Sequence, residues 1–253
     1  MFIILVFLLN PMQNIKYSII IPAYNEEKII ADTIDKALKF FSNSGKTFEL
    51  IIANDGSNDG TANIVSSKIA QYRELKLFNN LKNEGRGSVL SNSFKTALGS
   101  IIVYIDADLA IDLELFPKLV SAIEEKNVDM AIGSKHLKES MVEYPSVRRI
   151  FSKAYSFIAR LLLGTSIRDY QCGFKAFRRD AIIKILPYIK SKGWTWDTEV
   201  LVKARWLGYN IEELPAKVIN IYGRESKVHL FNDVKLMGLG LLRLYREKKN
   251  FRK

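Results

Sequence analysis

The chain has 253 residues, enough for one large domain or two small ones with a substantial core, and its 48% hydrophobic content excludes a disordered polyelectrolyte. Lys and Arg number 38 against 27 Asp and Glu, and the net charge of +11 favours a polyanionic neighbour: nucleic acid, an anionic membrane surface or a phosphorylated substrate. A single cysteine, Cys172, excludes an intrachain disulfide, and with only two histidines a His/Cys zinc cluster is excluded as well.

Phe2 to Leu9 is wholly apolar. It is far shorter than the roughly 20 residues of a spanning helix, and it lacks the basic start and cleavage site of a secretory signal. Residues 1–16 therefore read as an apolar extension, either dispensable or a shallow membrane anchor. Tyr17 to Pro22 reads as a first buried strand. Asn25 is the expected cap of a helix through about Phe41, with Glu26 and Glu27 in its first turn, where the macrodipole favours acids. Phe48 to Ala53 is a second strand, followed by a turn-rich segment and a helix over Ile64 to Tyr72. Leu75 to Phe78 is a short third strand, and a helix over Ser88 to Leu98 follows.

The next strand runs Ser100-Ile-Ile-Val-Tyr-Ile105, a β-branched run expected to be buried on both faces. It ends in Asp106-Ala107-Asp108. Open α/β sheets place ligands beyond the carboxyl ends of their strands, so these carboxylates stand where a site is expected. A hard divalent cation suits them, because Mg²⁺ takes one or two carboxylates and completes its shell with water and phosphate oxygens. The plainer alternative is a strand that runs into an acidic, solvated turn.

A helix near Leu113 to Glu124 and a strand at Asp129 to Gly133 complete an alternation that predicts a mostly parallel sheet covered on both faces. Beyond it, Arg148 to Leu163 is an apolar helix carrying scattered bases. Asp169 to Lys175 is a compact polar and aromatic patch, Trp194 to Glu199 opens a further helix, and Val228 to Tyr245 is apolar with a basic end. The two apolar helices suit either packing on the core or contact with anionic lipid.

Two loops carry possible chemistry of their own. Asn54 and Asp55 begin a turn that superficially opens like a calcium loop. Its twelfth position is Ser66, where a bidentate Glu is required, so the calcium reading fails. The remaining options are hydrogen bonds to a base or ribose, or a simple helix-capping turn. Gly85-Arg86-Gly87 can bring backbone amides and a guanidinium to a diphosphate, although it matches neither the dinucleotide fingerprint nor the P-loop.

In order along the chain stand Pro22-Ala-Tyr-Asn-Glu26-Glu, Asn54-Asp-Gly-Ser-Asn-Asp-Gly-Thr, Asn83-Glu-Gly-Arg-Gly and Asp106-Ala-Asp108. Together they resemble the family 2 inverting glycosyltransferases with the GT-A fold. Asp169-Tyr-Gln-Cys-Gly-Phe-Lys-Ala-Phe177, Trp194-Thr-Trp-Asp-Thr-Glu199 and Glu225-Ser-Lys227-Val are similar to the dolichyl-phosphate β-glucosyltransferase, or polyprenyl-phosphate hexosyltransferase, branch. The resemblance runs from about Tyr17 to the end.

It implies that Pro22, Ala23, Tyr24 and Glu26 border the nucleotide and that Asn54 and Asp55 meet the uracil or ribose. It implies that Gly85, Arg86, Gly87 and Ala107 border the donor, and that Asp106 and Asp108 meet the metal and sugar diphosphate. Lys135, Lys175 and Lys227 are the implied phosphate contacts. Asn54 replaces the usual aspartate, Arg86 a lysine, Lys135 an arginine and Trp196 the commoner phenylalanine. Asp169 is taken as a catalytic candidate; it or Asp197 suits a base for an alcohol acceptor, and either equally suits a pairing role with a neighbouring Arg or Lys.

The resulting expectation is a GT-A domain over residues 17–222 with a basic amphipathic segment over 223–253. The implied activity moves glucose or a related hexose from a UDP-sugar to dolichyl or polyprenyl phosphate, using Mg²⁺ or Mn²⁺. The implied setting is the cytoplasmic face of the cell membrane, peripheral or shallowly anchored, with no nucleic-acid partner. Two rivals are a soluble family 2 enzyme acting on a glycan or other alcohol, and a non-catalytic basic binding module.

Overall fold

The computed structural model describes residues 15–142, 146–219 and 230–251. Seven strands form one sheet: β1 (Tyr17–Ala23), β2 (Phe48–Asp55), β3 (Leu75–Asn80), β4 (Ile101–Ile105), β5 (Met130–Ser134), β6 (Phe174–Arg178) and β7 (Ile211–Pro215). Their order is β3-β2-β1-β4-β6-β5-β7. All neighbouring pairs are parallel except those of β6, which runs antiparallel between β4 and β5.

Side chains alternate across the sheet, as a period of two requires. Ile19, Ile21, Val103 and Ile105 enter one core with α1 (Ile30–Ser42), α2 (Thr61–Ile69) and α4 (Leu115–Glu125). Ile20, Ile102 and Tyr104 enter the other. That second layer is built from α3 (Arg86–Thr96), α5 (Ser146–Leu163), α6 (Arg179–Ile185), α7 (Trp196–Trp206) and α8 (Leu230–Phe251). Every residue of β4 is buried, as expected of a central strand.

Three expectations need correction. Helix α1 begins at Ile30, and Asn25 does not cap it: Asn25 has φ +52° and its side chain accepts the Asn58 N–H at 2.9 Å. Within the patch at Asp169 to Lys175, Phe174 and Lys175 already belong to strand β6. Strand β7 was not foreseen either. The apolar extension at residues 1–16 lies almost wholly outside the described residues, as does Lys227.

Candidate active site

Strands β1, β2 and β4 are parallel neighbours, so their carboxyl ends open on one edge of the sheet. The loops there are stitched together. Asn25 N–H donates to Ser57 Oγ at 2.9 Å, Glu26 N–H to Thr61 Oγ1 at 2.8 Å, and Gly60 N–H to Glu27 Oε2 at 2.8 Å. Pro22 is half-buried and Ala23 buried on β1; Tyr24 is half-buried and Glu26 buried in the loop that follows. Ala107 is buried, and its carbonyl accepts the Thr33 hydroxyl at 2.7 Å.

Asn54 and Asp55 are both buried and both occupied. The Asn54 amide donates to Asn79 Oδ1 at 2.6 Å and accepts from Ser57 Oγ at 2.5 Å. The Asp55 carboxylate receives the Asn80 amide at 3.0 Å, Glu84 N–H at 3.0 Å and Gly85 N–H at 2.9 Å. Asp55 therefore holds the loop that delivers Arg86. Gly85 sits at φ +100°, and a Cβ there would meet the Lys192 carbonyl at 2.5 Å; on Gly87 it would meet the Trp196 side chain at the same distance. Both close approaches require glycine.

Asp106 extends the β4–β6 ladder, its N–H donating to the Gly173 carbonyl at 3.0 Å. Its side chain is 42% exposed, and one carboxylate oxygen accepts Arg86 Nη2 at 2.6 Å. Asp108 is half-buried and accepts Ala110 N–H at 3.1 Å. The pair fits a hard divalent ion: two oxygen donors at one strand end, reaching solvent, with a guanidinium already balancing one of them. Among the described residues no third His, Cys, Asp or Glu joins a metal-binding group. Water and donor oxygens are left to complete such a shell.

Behind this edge lies a buried charge network. Arg86 Nη1 donates to Asp197 Oδ2 at 2.6 Å, and its guanidinium stands 5.1 Å from the Tyr104 ring and 5.4 Å from that of Trp194. Asp197 also accepts Lys175 Nζ at 2.6 Å and the Tyr104 hydroxyl. Tyr104 and Lys175 are direct cross-strand partners on β4 and β6, which is why they converge under α7. Burial alone would raise the Asp197 carboxyl, but Lys175 and Arg86 hold it below the ordinary carboxylate range. Burial would likewise lower Arg86, yet Asp106 and Asp197 push it well above its usual value.

Two of the expected site residues are buried and ion-paired. Lys175 is 1% exposed, and its ammonium is committed to Asp197, Tyr104 and the Cys172 carbonyl, so it orders the interior and does not meet a phosphate directly. Asp169 is fully buried; its carboxylate accepts Lys135 N–H at 2.9 Å, Lys135 Nζ at 3.2 Å and Gln171 N–H at 3.0 Å. Burial raises that carboxyl, but Lys135 and His136 outweigh it and keep it ionised. Of the two roles expected for it, base or ion-pair partner, the ion pair with Lys135 is the one present here. Lys227 lies outside the described residues.

Sequence reasoning passed over Tyr104 and Trp194 as site residues; of the two roles it left open for Asp197, base or ion-pair partner, the pairing with Arg86 and Lys175 is the one present. A tyrosine inside an otherwise aliphatic strand was the available signal, since a buried phenol needs a hydrogen-bond partner.

The family model for glycosyl transferase family 2 matches residues 18–186. Glycosyltransferase AglD of Haloferax volcanii is 33% identical over 92% of this chain, which spans only 37% of that relative. The dolichyl-phosphate β-glucosyltransferase of Dictyostelium discoideum is 30% identical over 93% of this chain and 75% of its own length. Glucosyl-3-phosphoglycerate synthase from Mycobacterium tuberculosis, solved with Mn²⁺, UDP and glucosyl-3-phosphoglycerate, superimposes with TM-score 0.63 at 19% identity, over 92% of this chain and 79% of that one. The sheet order, the paired helical layers and these likenesses identify the fold as GT-A, and the chain belongs to glycosyl transferase family 2.

Proposed function

We propose that this chain transfers glucose, or a related hexose, from a UDP-sugar to dolichyl or another polyprenyl phosphate, with inversion at the anomeric carbon. The observation that carries this is the site edge itself: Asp106, Asp108 and Arg86 gathered at the end of β4, with buried Asp55 holding the loop that delivers Arg86. The likeness to dolichyl-phosphate β-glucosyltransferases supports the choice of donor and acceptor.

Asp106 and Asp108 would hold Mg²⁺ or Mn²⁺, which as a Lewis acid supplies stabilisation of the nucleoside diphosphate leaving group. Arg86 adds a guanidinium anchored at the cleft edge, positive charge that answers the negative charge developing on the leaving group. Lys135, oriented by Asp169, is a second cation for the phosphate-rich cleft. A prenyl phosphate is an anionic nucleophile at neutral pH, so positioning and charge neutralisation carry the reaction without a committed base. That agrees with the buried, ion-paired states of Asp169 and Asp197.

The acceptor's lipid tail calls for an apolar surface beside the site. Helices α5 and α8 pack on each other and expose Phe151, Phe157, Leu161, Leu236, Leu239 and Leu242. Exposed Arg149, Lys153, Lys235 and Arg246 flank them, a composition suited to lying on anionic lipid at the cytoplasmic face of the cell membrane. No described helix is long and apolar enough to cross a membrane.

The test offers labelled UDP-glucose and Mn²⁺ with prenyl phosphate in anionic vesicles, the corresponding prenyl alcohol, or a soluble glycan. Transfer to the phosphate, weakened by salt, is expected. Transfer to the alcohol or glycan alone would overturn the acceptor assignment while leaving the family intact.

A further inference from the structure

Arg86 has two anchors of unequal strength. Toward the cleft it meets Asp106, whose side chain is 42% exposed. Toward the interior it meets Asp197, whose side chain is 3% exposed and is itself tied to Lys175 and the Tyr104 hydroxyl. An ion pair open to water contributes little and yields easily to a competing charge, whereas breaking one arm of a buried network leaves an uncompensated charge inside the protein. Any anion entering the cleft will therefore exchange with the Asp106 arm and leave the Asp197 arm intact.

We propose that Asp197 is a positioning residue that tethers Arg86 while its outer arm passes from Asp106 to the donor diphosphate, so that Asp106 is released for the cation as the donor gains a guanidinium. This rests on the donor assignment above and adds the residue that makes Arg86 a swivel instead of a loose side chain. The surroundings fit such motion. The Tyr104 and Trp194 rings lie 5.1 and 5.4 Å from the guanidinium and give it aromatic walls to turn against. The backbone at Arg86 is held independently, through Gly85 N–H on Asp55 and Gly87 N–H on the Lys192 carbonyl at 2.6 Å. Only the side chain needs to move.

The experiment is titration calorimetry with Mn²⁺ alone and with UDP in the presence of Mn²⁺, on the unsubstituted protein, Arg86→Ala, Asp197→Asn and the double variant. Each single change is expected to weaken UDP binding by about tenfold or more, the scale of one charged hydrogen bond. The double variant should bind no worse than Arg86→Ala, because Asp197 acts through Arg86. Mn²⁺ alone should bind Arg86→Ala at least as tightly as before, since Asp106 loses its competitor. A purely structural Asp197 would give additive losses and weaken Mn²⁺ and UDP alike, and that result would overturn the proposal. UDP binding within about twofold of normal in Asp197→Asn would do the same. If Asp197→Asn leaves Lys175 uncompensated and fails to fold, Lys175→Met/Asp197→Asn removes both buried charges and takes the same titration. Failure of the unsubstituted protein to bind UDP would instead overturn the donor assignment, and the tether with it.

Discussion

The two halves of the sheet handle charge in opposite ways. From β3 to β4 the strands are parallel, and Asn54, Asp55, Asp106 and Asp108 gather at or just beyond their carboxyl ends; near the amino end of β2, buried Glu49 is held by Ser18 and Lys76. On the other side β6 alone runs antiparallel, and around it ionised groups enter the interior: Lys175 pairs with Asp197, Lys135 with Asp169, and Lys203 with Glu199. The first half leaves its half-exposed carboxylates, Asp106 and Asp108, at the cleft, while the second commits most of its charges to holding side chains in place. Residue type alone does not say which of these a lysine or aspartate does. Burial does, because a buried ion persists only when its partners are supplied by the fold.

The largest effect is expected from neutralising a group that presents charge. Asp108→Asn should lower turnover by roughly hundredfold or more, with the thermal unfolding midpoint nearly unchanged, because the side chain is half-exposed. Turnover near normal with unaltered metal dependence would blur the distinction between the halves.

A smaller effect should come from the seam where the halves meet. A Cβ on Gly173 would stand 1.7 Å from Asp106 Oδ2, so Gly173→Ala must displace the carboxylate. Overpacking of this kind costs about 1–3 kcal/mol, and turnover should fall about tenfold or more as Asp106 moves. Gly193→Ala, with nothing within 4 Å of the added methyl, is the matched control and should stay within about 0.5 kcal/mol. Equal behaviour of the two variants in paired activity and melting measurements would remove Gly173 from the site's support.

The smallest effect is a pH dependence carried by the second half. Asp169 and Asp197 titrate below the ordinary value of 3.8 in the folded chain. Their contribution to stability is therefore complete above that value and is lost as pH falls through their lowered folded values. Glu213, raised from 4.5 by burial, acts in the opposite sense and stabilises slightly as pH falls through its range. The melting midpoint should accordingly change little on account of the two aspartates between pH 7 and 5, then drop below about pH 4. Asp169→Asn should flatten that drop, and an unaltered acid profile in the variant would show that its ion pair with Lys135 does not contribute.

The first half was readable because its signals are local. Aliphatic runs stopped by Pro22, Asp55 and Asp106 mark strand ends, and parallel neighbours bring those ends together. In the second half β5 was legible, but β6 and β7 were hidden behind their own charges. Lys175, the second residue of β6, argues against a buried strand unless Asp197 and Tyr104 are known to meet it, and Tyr104 comes from a distant part of the chain. Strand β7, with two glutamates and a terminal proline, pairs only with β5 and is half-buried throughout, so it lacks the apolar run of an inner strand. The same long-range pairing left Asp169 open between base and ion-pair partner, and left Lys175 among the expected phosphate contacts.

The antiparallel insertion of β6 also bears on how the chain comes off the ribosome. Strand β5 is made before β6 but pairs only with β6 and β7, so it has no ladder to join while α5 and the Asp169 loop are still being synthesised. Until Phe174–Arg178 emerges, the outer edge of β4 stands bare, with five fully buried positions awaiting cover. Nascent chains halted before β6 therefore carry an apolar open edge of the kind that recruits chaperones or neighbouring chains. Completion of β6 closes that edge, and the same step brings Lys175 beneath Tyr104 and Gly173 against Asp106, so a chain that escapes the hazard acquires the support of its site at the same moment.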